Sequence, residues 1–490
     1  MSLAHSFAIQ HPSGKPACLL EGCTTVLTSP PHTLLIFGTE ENTVVVHELC
    51  YLETEHNNNK KMCEVQSRPY HVFPLLASSG EVMIKDVRTF PALFPSLVFV
   101  LQNSGTCTVL DVYQKTVLCQ VDVVSLTQSF LQRNRNVIED DNDEPSNHNN
   151  NRNNKKNKNA NIIFNNNNEI LCNALAVSPK GDQLAVSYGS DVVILDLPTL
   201  LSNANHHHNS NVVVHYINGL HTEEITKLLF LQPSEQNNNP YILCTCGEDL
   251  MINFISTLKG TVDDDVIISG SRTGEGDVAT KLHFWQLQNN NNNNNNNNVP
   301  FQFFSMIGTC ENGYVFPANM PTFEEKEFIY KRPDYDTYLI DFFVLPFSYQ
   351  PHCPAALYLC QGRRNEDGES AGLELMDLSC FQQQASQHLL PYGNPLLQGW
   401  QVNNNNNQGD NNNNNTLFLQ GSAAAHREIC RVALPIPFFN AQHDAIGDSL
   451  FLTASEDGSV AVWDLDSRHT YNNNKNNSNS GGVAGKRTRE

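Results

Sequence analysis

The feature that most constrains this chain is a stretch near its C-terminus, at residues 426–464. Within it, residues 451–455 and 460–464 each alternate with a period of two, as β-strands with two different faces do. The sequence Glu-Asp-Gly at 456–458 lies between them and favours a tight turn. The C-terminal part of the chain is therefore predicted to form a β-hairpin.

Several polar residues accompany this hairpin in a fixed order: His426, Ser455 and Asp457, followed by the pair Trp463-Asp464. Together they resemble the repeat of the WD-repeat β-propeller family. The resemblance implies that His426, Ser455, Asp457 and Trp463 hydrogen-bond to one another inside one blade. Such a network fixes a blade and carries out no chemistry.

Weaker copies of the same pattern occur upstream. One of them retains a histidine before its first strand, His221, and an aspartate in its turn, Asp249. The copies are counted by the residue at the Trp position, which is His47, Leu110, Leu195, Ile255, Phe316, Met376 and Trp463. Seven copies predict an all-β fold, a seven-bladed WD-repeat β-propeller.

Runs of Asn interrupt the repeats, with the longest insertions at about 134–168, 289–298 and 403–415. Such tracts bury too little apolar surface to offset the entropy lost on ordering, so they are expected to be disordered surface loops. The domain organisation expected is one propeller over residues 1–471 and a disordered tail over 472–490.

The last repeat ends near Asp466, after its third strand. A propeller must close to remove its sheet edges. The fourth strand of the last blade is therefore expected from the N-terminus, within residues 4–10 or 17–20.

Charge and cysteine content limit the kinds of partner and the cellular compartment that can be expected. The net charge is −21, from 51 acidic and 30 basic residues, which disfavours a broad nucleic-acid footprint. The 14 cysteines include no C-x-x-C pair, as expected of reduced thiols in the cytosol or nucleus. No secretory signal and no apolar run of about 18 residues occur, so no membrane association is expected.

The chain shows no motif that carries chemistry. It has no phosphate-binding loop and no G-x-S-x-G nucleophile turn. Cys244 and Cys246 lack a second pair of ligands, and His206–His208 lie in an Asn-rich loop sequence. We therefore predict no catalytic residue, no cofactor and no metal, and the chain is not expected to be an enzyme.

Residues of about 280–466 resemble, more closely, the subfamily of WD repeat-containing protein 89. The resemblance rests on KLHFW (281–285), IGTCENGYVF (307–316), YLIDFFVLP (338–346) and ASEDGSVAVWDLD (454–466). It implies an intracellular propeller without known catalysis.

These observations predict a non-catalytic platform that binds other proteins through its propeller faces, in the cytoplasm, the nucleus or both. One alternative is a substrate receptor of a cullin-4 ubiquitin ligase, whose receptors resemble one another in a Trp-Asp-x-Arg box. Here Asp466 replaces the Arg, and Arg468 follows two residues late. A second alternative is a hydrolase on the same scaffold, which a cluster of His, Asp and Ser at the channel mouth would favour.

Overall fold

The computed structural model describes residues 2–10, 14–28, 31–55, 61–76, 82–140, 170–202, 212–233, 238–258, 266–272, 277–287, 301–317, 328–331, 334–345, 356–378, 416–418, 425–436 and 450–464. Within these ranges, 28 strands form seven antiparallel sheets of four strands each. The predicted seven-bladed, all-β propeller is therefore confirmed.

The first three blades follow the N-terminal strand. Blade 1 consists of β2 (Leu19–Thr28), β3 (Pro31–Thr39), β4 (Thr43–Glu55) and β5 (Lys61–Pro74). Blade 2 consists of β6 (Ile84–Phe90), β7 (Phe94–Gln102), β8 (Thr106–Asp111) and β9 (Thr116–Asp122). Blade 3 consists of β10 (Leu175–Val177), β11 (Gln183–Tyr188), β12 (Asp191–Asp196) and β13 (Val213–Ile217).

The other four blades complete the ring. Blade 4 consists of β14 (Ile225–Phe230), β15 (Ile242–Gly247), β16 (Met251–Ser256) and β17 (Ile267–Arg272). Blade 5 consists of β18 (Ala279–Leu287), β19 (Phe301–Gly308), β20 (Asn312–Pro317) and β21 (Phe328–Lys331). Blade 6 consists of β22 (Thr337–Leu345), β23 (Ala356–Arg364), β24 (Ser370–Asp377) and β25 (Thr416–Phe418). Blade 7 consists of β26 (Cys430–Pro435), β27 (Leu450–Ser455), β28 (Ser459–Asp464) and the N-terminal β1 (Ser2–Ala8).

Each residue counted at the Trp position lies in the third strand of a different blade, from His47 in β4 to Trp463 in β28. The spacing of the repeats therefore gave the correct number of blades. This holds even where the Trp is replaced, because the position needs only a side chain that packs between neighbouring sheets.

The first strands of the seven blades line a central channel. Each contacts the first strand of both neighbouring blades, and β2 contacts β26, so the ring is continuous. The strand β1 pairs with β28 from Ser2 opposite Asp464 to Ala8 opposite Ser459, and it also contacts β5 of blade 1. Of the two segments considered for this position, residues 4–10 overlap β1, whereas residues 17–20 run into β2.

Six of the seven first strands contain a β-bulge near their start. The residues that follow the bulges are Glu21, Asp86, Lys227, Lys281, Asp341 and Val432. The exception is β10, which has only three residues. We call the face with the turns between second and third strands the upper face, and the opposite face the lower face.

In the described parts of the chain, two helices lie between strands. The helix α1 (Val123–Asp140) follows β9, and Asp122 caps it by accepting the backbone N–H of Ser125 at 3.1 Å. This corrects the predicted loop at 134–168, because residues 134–140 continue a helix that starts in the apolar sequence before them. The helix α2 (Leu197–Ser202) follows β12, and Asp196 caps it through the backbone N–H of Thr199 at 2.7 Å.

Large side chains fill the spaces between blades. Between blades 6 and 7, Phe343 stacks on Phe451 with ring centroids 5.1 Å apart, and Phe451 stacks on Trp463 at 6.5 Å. All three are almost fully buried. The remaining expectations about Asn-rich loops and the tail, at 141–168, 289–298, 403–415 and 472–490, lie outside the described residues.

Candidate functional site

The polar residues of blade 7 meet behind the turn between β27 and β28. His426 is fully buried; its Nδ1 lies 2.7 Å from Ser459 Oγ, and its Nε2 lies 2.8 Å from Thr453 Oγ1. The indole N–H of Trp463 donates to the same Thr453 hydroxyl at 2.8 Å. The Ser459 hydroxyl donates to the Asp457 carboxylate. The network thus joins β27, β28 and the turn between them to the segment that precedes β26.

The network differs from the prediction in the hydroxyl that joins His426 to Trp463. That hydroxyl belongs to Thr453, whereas Ser455 donates to the backbone carbonyl of Glu428 at 2.9 Å and accepts the backbone N–H of Asp457 at 3.5 Å. Trp463 lies directly opposite Phe451, so the indole reaches Thr453 on the diagonal, and Ser455 is two residues further along the same face.

Trp463 and Asp457, at the two ends of the network, determine the direction of each hydrogen bond between them. An indole N–H only donates, and an ionised carboxylate only accepts. Ser459 therefore accepts from His426 Nδ1–H, and His426 Nε2 accepts from the Thr453 hydroxyl. Burial lowers the pKa of His426 to about 4, despite the nearby charge of Asp457, so the imidazole is neutral at neutral pH. Burial raises the pKa of the Asp457 carboxyl, but hydrogen bonds from Ser459 and Arg427 outweigh it and lower the pKa overall.

This Ser-His-Asp combination does not have the geometry of a hydrolase. In a catalytic triad the histidine accepts the serine proton and the carboxylate holds the other ring nitrogen. Here Ser459 gives its proton to Asp457, and the second nitrogen of His426 bonds Thr453. Because the imidazole and Thr453 are fully buried, a substrate carbonyl has no access to them.

Blade 4 repeats the arrangement. His221 Nδ1 lies 2.9 Å from Asp249 Oδ1, and its Nε2 lies 2.8 Å from Thr245 Oγ1. Asp249 also accepts the backbone N–H of Thr222 at 2.9 Å. The residue at the Trp position is the buried Ile255, which has no side-chain N–H to donate, and His221 contacts Asp249 directly without a serine between them. The chain of hydrogen bonds is therefore shorter by two than in blade 7.

Blade 5 uses an aspartate that sequence reasoning missed. Asp277 is fully buried and accepts a hydrogen bond from the Tyr314 hydroxyl at 2.5 Å. A Cβ on Gly308 would lie 2.4 Å from the Asp277 carboxyl carbon, as one on Gly247 would lie 2.4 Å from the His221 ring. Asp277 therefore stands where blade 4 has its histidine. The glycine that ends the second strand is the signal that could have found it.

The last residue of the repeat motif, Asp464, ends β28, where its Cα lies opposite Leu450 and Ser2. Asp466 and Arg468, on which the cullin-4 alternative depends, lie outside the described residues.

The channel contains a cluster of charged side chains from opposite sides of the ring. Lys281 Nζ of blade 5 lies 3.4 Å from Glu21 Oε2 of blade 1. Arg88 Nε donates to Asp86 Oδ1 at 2.7 Å within blade 2. No sequence pattern predicted this cluster, because it forms only when the ring brings separate blades together.

A third pair lies beside the first two. His283 Nε2 is 2.7 Å from Asp341 Oδ1, which also accepts the backbone N–H of Phe342 at 2.8 Å. The second oxygen of Asp86 accepts the backbone N–H of Leu175 at 3.1 Å, which ties the short β10 to blade 2. Each carboxylate of the cluster therefore has a donor.

Lys227 is the one cation of this cluster that has no hydrogen bond or ion pair in the described part of the chain. It is only 8% exposed. Burial, together with the positive charges of Arg88 and Lys281, lowers the pKa of its ammonium group by more than the charges of Glu21 and Asp86 raise it. Burial raises the pKa of Glu21, but the charges of Lys281, Lys227 and Arg88 outweigh it and lower the pKa to about 2.

A cavity of about 310 Å³ adjoins the cluster at the lower end of the channel. Its lining comprises residues 88–93 of blade 2, 175–179 of blade 3, and 228–230 with Gln232 of blade 4. Phe90, Leu175, Leu229 and Phe230 make it largely apolar, and Arg88 belongs both to it and to the charged cluster. We call this cavity the channel pocket. Its size suits one or two side chains of a ligand.

Among the described residues, no group of three or more His, Cys, Asp or Glu is placed to hold a metal ion. Cys244 and Cys246 are buried in β15, and the cysteines whose side chains the structure describes are free thiols. In the same part of the chain, the helices are too short or too polar to cross a membrane.

Comparisons with known proteins gave a match only at the level of structure. No protein-family model matches the chain, and no curated protein matches it. Among solved structures, a chain of the crystal structure of a mitotic checkpoint complex is similar, with a TM-score of 0.45 and 8% sequence identity. The match covers 95% of this chain and 92% of that chain. The fold assignment rests on the strand pairing described above.

Proposed function

We propose that the chain is a non-catalytic platform for protein–protein contacts, of the WD-repeat type. The observation that carries this proposal is the channel pocket, a mainly apolar recess that opens on the lower face. Apolar recesses with a few polar groups are where proteins bind ligands and partners. The propeller fold alone would not specify a function.

Two features support the WD-repeat type. The networks around His426 and His221 follow the pattern that the sequence resemblance implies, with Thr453 and Thr245 supplying the hydroxyl. The resemblance to the subfamily of WD repeat-containing protein 89 over about 280–466 supports the same proposal.

Other features support a protein partner and an intracellular site. A net charge of −21 favours protein surfaces over nucleic acid. Free thiols are typical of the cytosol and nucleus, where we place the protein. The histidines of blades 4 and 7 are occupied in links between strands, which supports a role without catalysis.

The proposal is tested by affinity purification of the tagged, full-length chain followed by mass spectrometry. Leu93→Glu puts a charge at the rim of the channel pocket, where the side chain is 37% exposed, so the fold should tolerate it. Tyr113→Glu is the matched control, because it is 57% exposed in a turn of blade 2 outside the pocket. Partners in stoichiometric amounts are expected with the wild type and Tyr113→Glu, and their loss with Leu93→Glu.

Recovery of no partner by the wild type would contradict the platform. Equal recovery by all three proteins would contradict the assignment of the contact site to the channel pocket.

A further inference from the structure

Lys227 is a buried ammonium group without a direct partner among the described residues, although the charges of Glu21 and Asp86 act on it from a greater distance. Burying an ammonium group costs several kcal/mol unless it is paired. Lys227 is 8% exposed and has neither a hydrogen bond nor an ion pair among the described residues. The carboxylates nearby are already engaged: Glu21 by Lys281, and Asp86 by Arg88 and a backbone N–H. Lys227 is therefore the group to which an added anion would bind.

Arg88 adds further donors at the same place. Its one hydrogen bond within the described part of the chain runs from Nε to Asp86. A guanidinium has five N–H donors, so its terminal Nη groups can bind another oxygen. The Arg88 side chain is 27% exposed and lines the channel pocket, so a ligand in the pocket can reach it.

The charged and apolar groups follow one another along the channel. In β14, Lys227 precedes Leu229 and Phe230, and Phe230 lies about 10 Å further toward the lower face at about 3.3 Å per residue. In β6, Arg88 precedes Phe90 in the same direction. A ligand that enters from the lower face therefore passes the apolar wall first and reaches the cations last. Its anionic group must be at its leading end.

We propose that the channel pocket binds the C-terminal end of a partner protein whose last residues are apolar, with the terminal carboxylate at Lys227 and Arg88. A chain terminus fits because its carboxylate is at the tip, and one or two apolar side chains beside it match the size of the cavity. An internal segment of a partner could offer only a side-chain carboxylate, which would not lie at the leading end of the segment. This inference rests on the proposed role as an interaction platform and specifies the partner chemistry.

The test uses the purified full-length chain and two pools of fluorescein-labelled heptapeptides. The last two residues vary over the apolar amino acids, and the pools differ only in ending as a free acid or as an amide. Binding is followed by fluorescence anisotropy. The free-acid pool is expected to bind at least about tenfold more tightly than the amide pool, a difference of about 1.4 kcal/mol.

Two variants make the test specific. Lys227→Met should weaken binding of the free-acid pool by about tenfold or more and leave the amide pool unchanged. It should melt at the same temperature as the wild type or higher, because it removes an unpaired buried charge. Lys15→Met removes the same charge from the exposed upper face and should leave the binding of both pools unchanged.

Equal binding of the two pools, or an unchanged affinity in Lys227→Met, would contradict the inference. Stabilisation by decanoate without binding of either pool would assign the site to a fatty acid and also contradict it. If neither pool binds but partner recovery still depends on Leu93, the proposed platform function is kept. The proposal that the pocket binds a C-terminal carboxylate is then contradicted. If the wild type recovers no partner, the proposed function itself fails.

Discussion

Lys281 and Glu21 bring an ammonium nitrogen and a carboxylate oxygen to within 3.4 Å of each other across the central channel. They come from blades 5 and 1, which are not neighbours in the ring. Their side chains are about one-fifth exposed, so the pair is only partly screened by water. The contact links distant parts of the chain, and it exists only in the closed ring.

Replacing this carboxylate should have a pH-dependent effect. Glu21→Gln is expected to lower the free energy of unfolding by about 1–3 kcal/mol at pH 7, because Lys281 loses its partner. The folded pKa of Glu21 is about 2, below its ordinary value of 4.5, so its stabilising effect is complete above pH 4.5 and is lost as the pH falls toward 2. Urea unfolding at several pH values measures this. A difference from the wild type that stayed constant below pH 4.5 would contradict the pair.

The two hydroxyls of β27 should have unequal effects. Thr453→Val leaves the Trp463 N–H and His426 Nε2 without a partner, which should cost about 1–3 kcal/mol for each buried group. Ser455→Ala removes a hydrogen bond to a backbone carbonyl and a long one of 3.5 Å from the backbone N–H of Asp457, and it should cost about 1 kcal/mol. Thermal unfolding compares the two variants, with Thr453→Ser as the control that keeps the hydroxyl. A larger loss of stability in Ser455→Ala than in Thr453→Val would contradict the assignment of Thr453 as the hydroxyl between His426 and Trp463.

Sequence patterns predicted the blades well and the network only in part. Strand alternation and tight turns are local properties, so they could be found even where Trp463 is replaced by His47 or Ile255. The period of two places Thr453 and Ser455 on one face, but it does not say which hydroxyl the indole reaches. That depends on the register of β27 and β28, which follows from the paired sheet.

The buried histidine of blade 1 should make stability depend on pH. His47 is 6% exposed, stacks on Phe7 of β1 with centroids 5.1 Å apart, and its Nδ1 has no hydrogen bond among the described residues. Burial lowers its pKa to about 4 from 6.5, so between those values the unfolded chain binds a proton that the folded chain does not. Stability therefore falls as the pH falls from 6.5 to 4, by up to about 1.4 kcal/mol per pH unit for this group.

His47→Phe is expected to flatten that dependence while keeping the ring stack and the stability at pH 7. Urea unfolding between pH 7 and about pH 4 measures the slope. His47→Gln serves as the control, since it removes the titrating ring and should flatten the slope at the expense of stability. An unchanged slope in both variants would show that His47 is not the titrating group.

The channel cluster and the channel pocket lay beyond sequence reasoning. Glu21 and Lys281 are 260 residues apart, and nothing in either local sequence marks the other. They meet because the closed ring brings the first strands of blades 1 and 5 to the same channel. The pocket likewise combines residues of blades 2, 3 and 4 that are far apart in the sequence.

The Asn run at 289–298 should be dispensable for folding. It lies between β18 and β19, which pair from Ala279 opposite Gly308 to Leu287 opposite Phe301. Deleting it leaves a connection long enough for a hairpin, and loop length changes stability by only about 0.6 kcal/mol per doubling. The thermal midpoint should therefore change little, and so should that of a variant with ten Gly and Ser residues in place of the run. A large drop in the deletion alone would show that the length of this connection matters to the fold.

The strand β1 closes a single ring of seven blades by pairing with β28, and the whole fold depends on this pairing. Hydrogen exchange of the intact protein, followed by mass spectrometry of peptides that cover Ser2–Ala8 and Ser459–Asp464, tests it most directly. Amides held in the ladder of a closed ring open only when the ring does, so both segments should exchange slowly and at similar rates. Complete exchange of Ser2–Ala8 within seconds, with Ser459–Asp464 still protected, would contradict closure by the N-terminal strand.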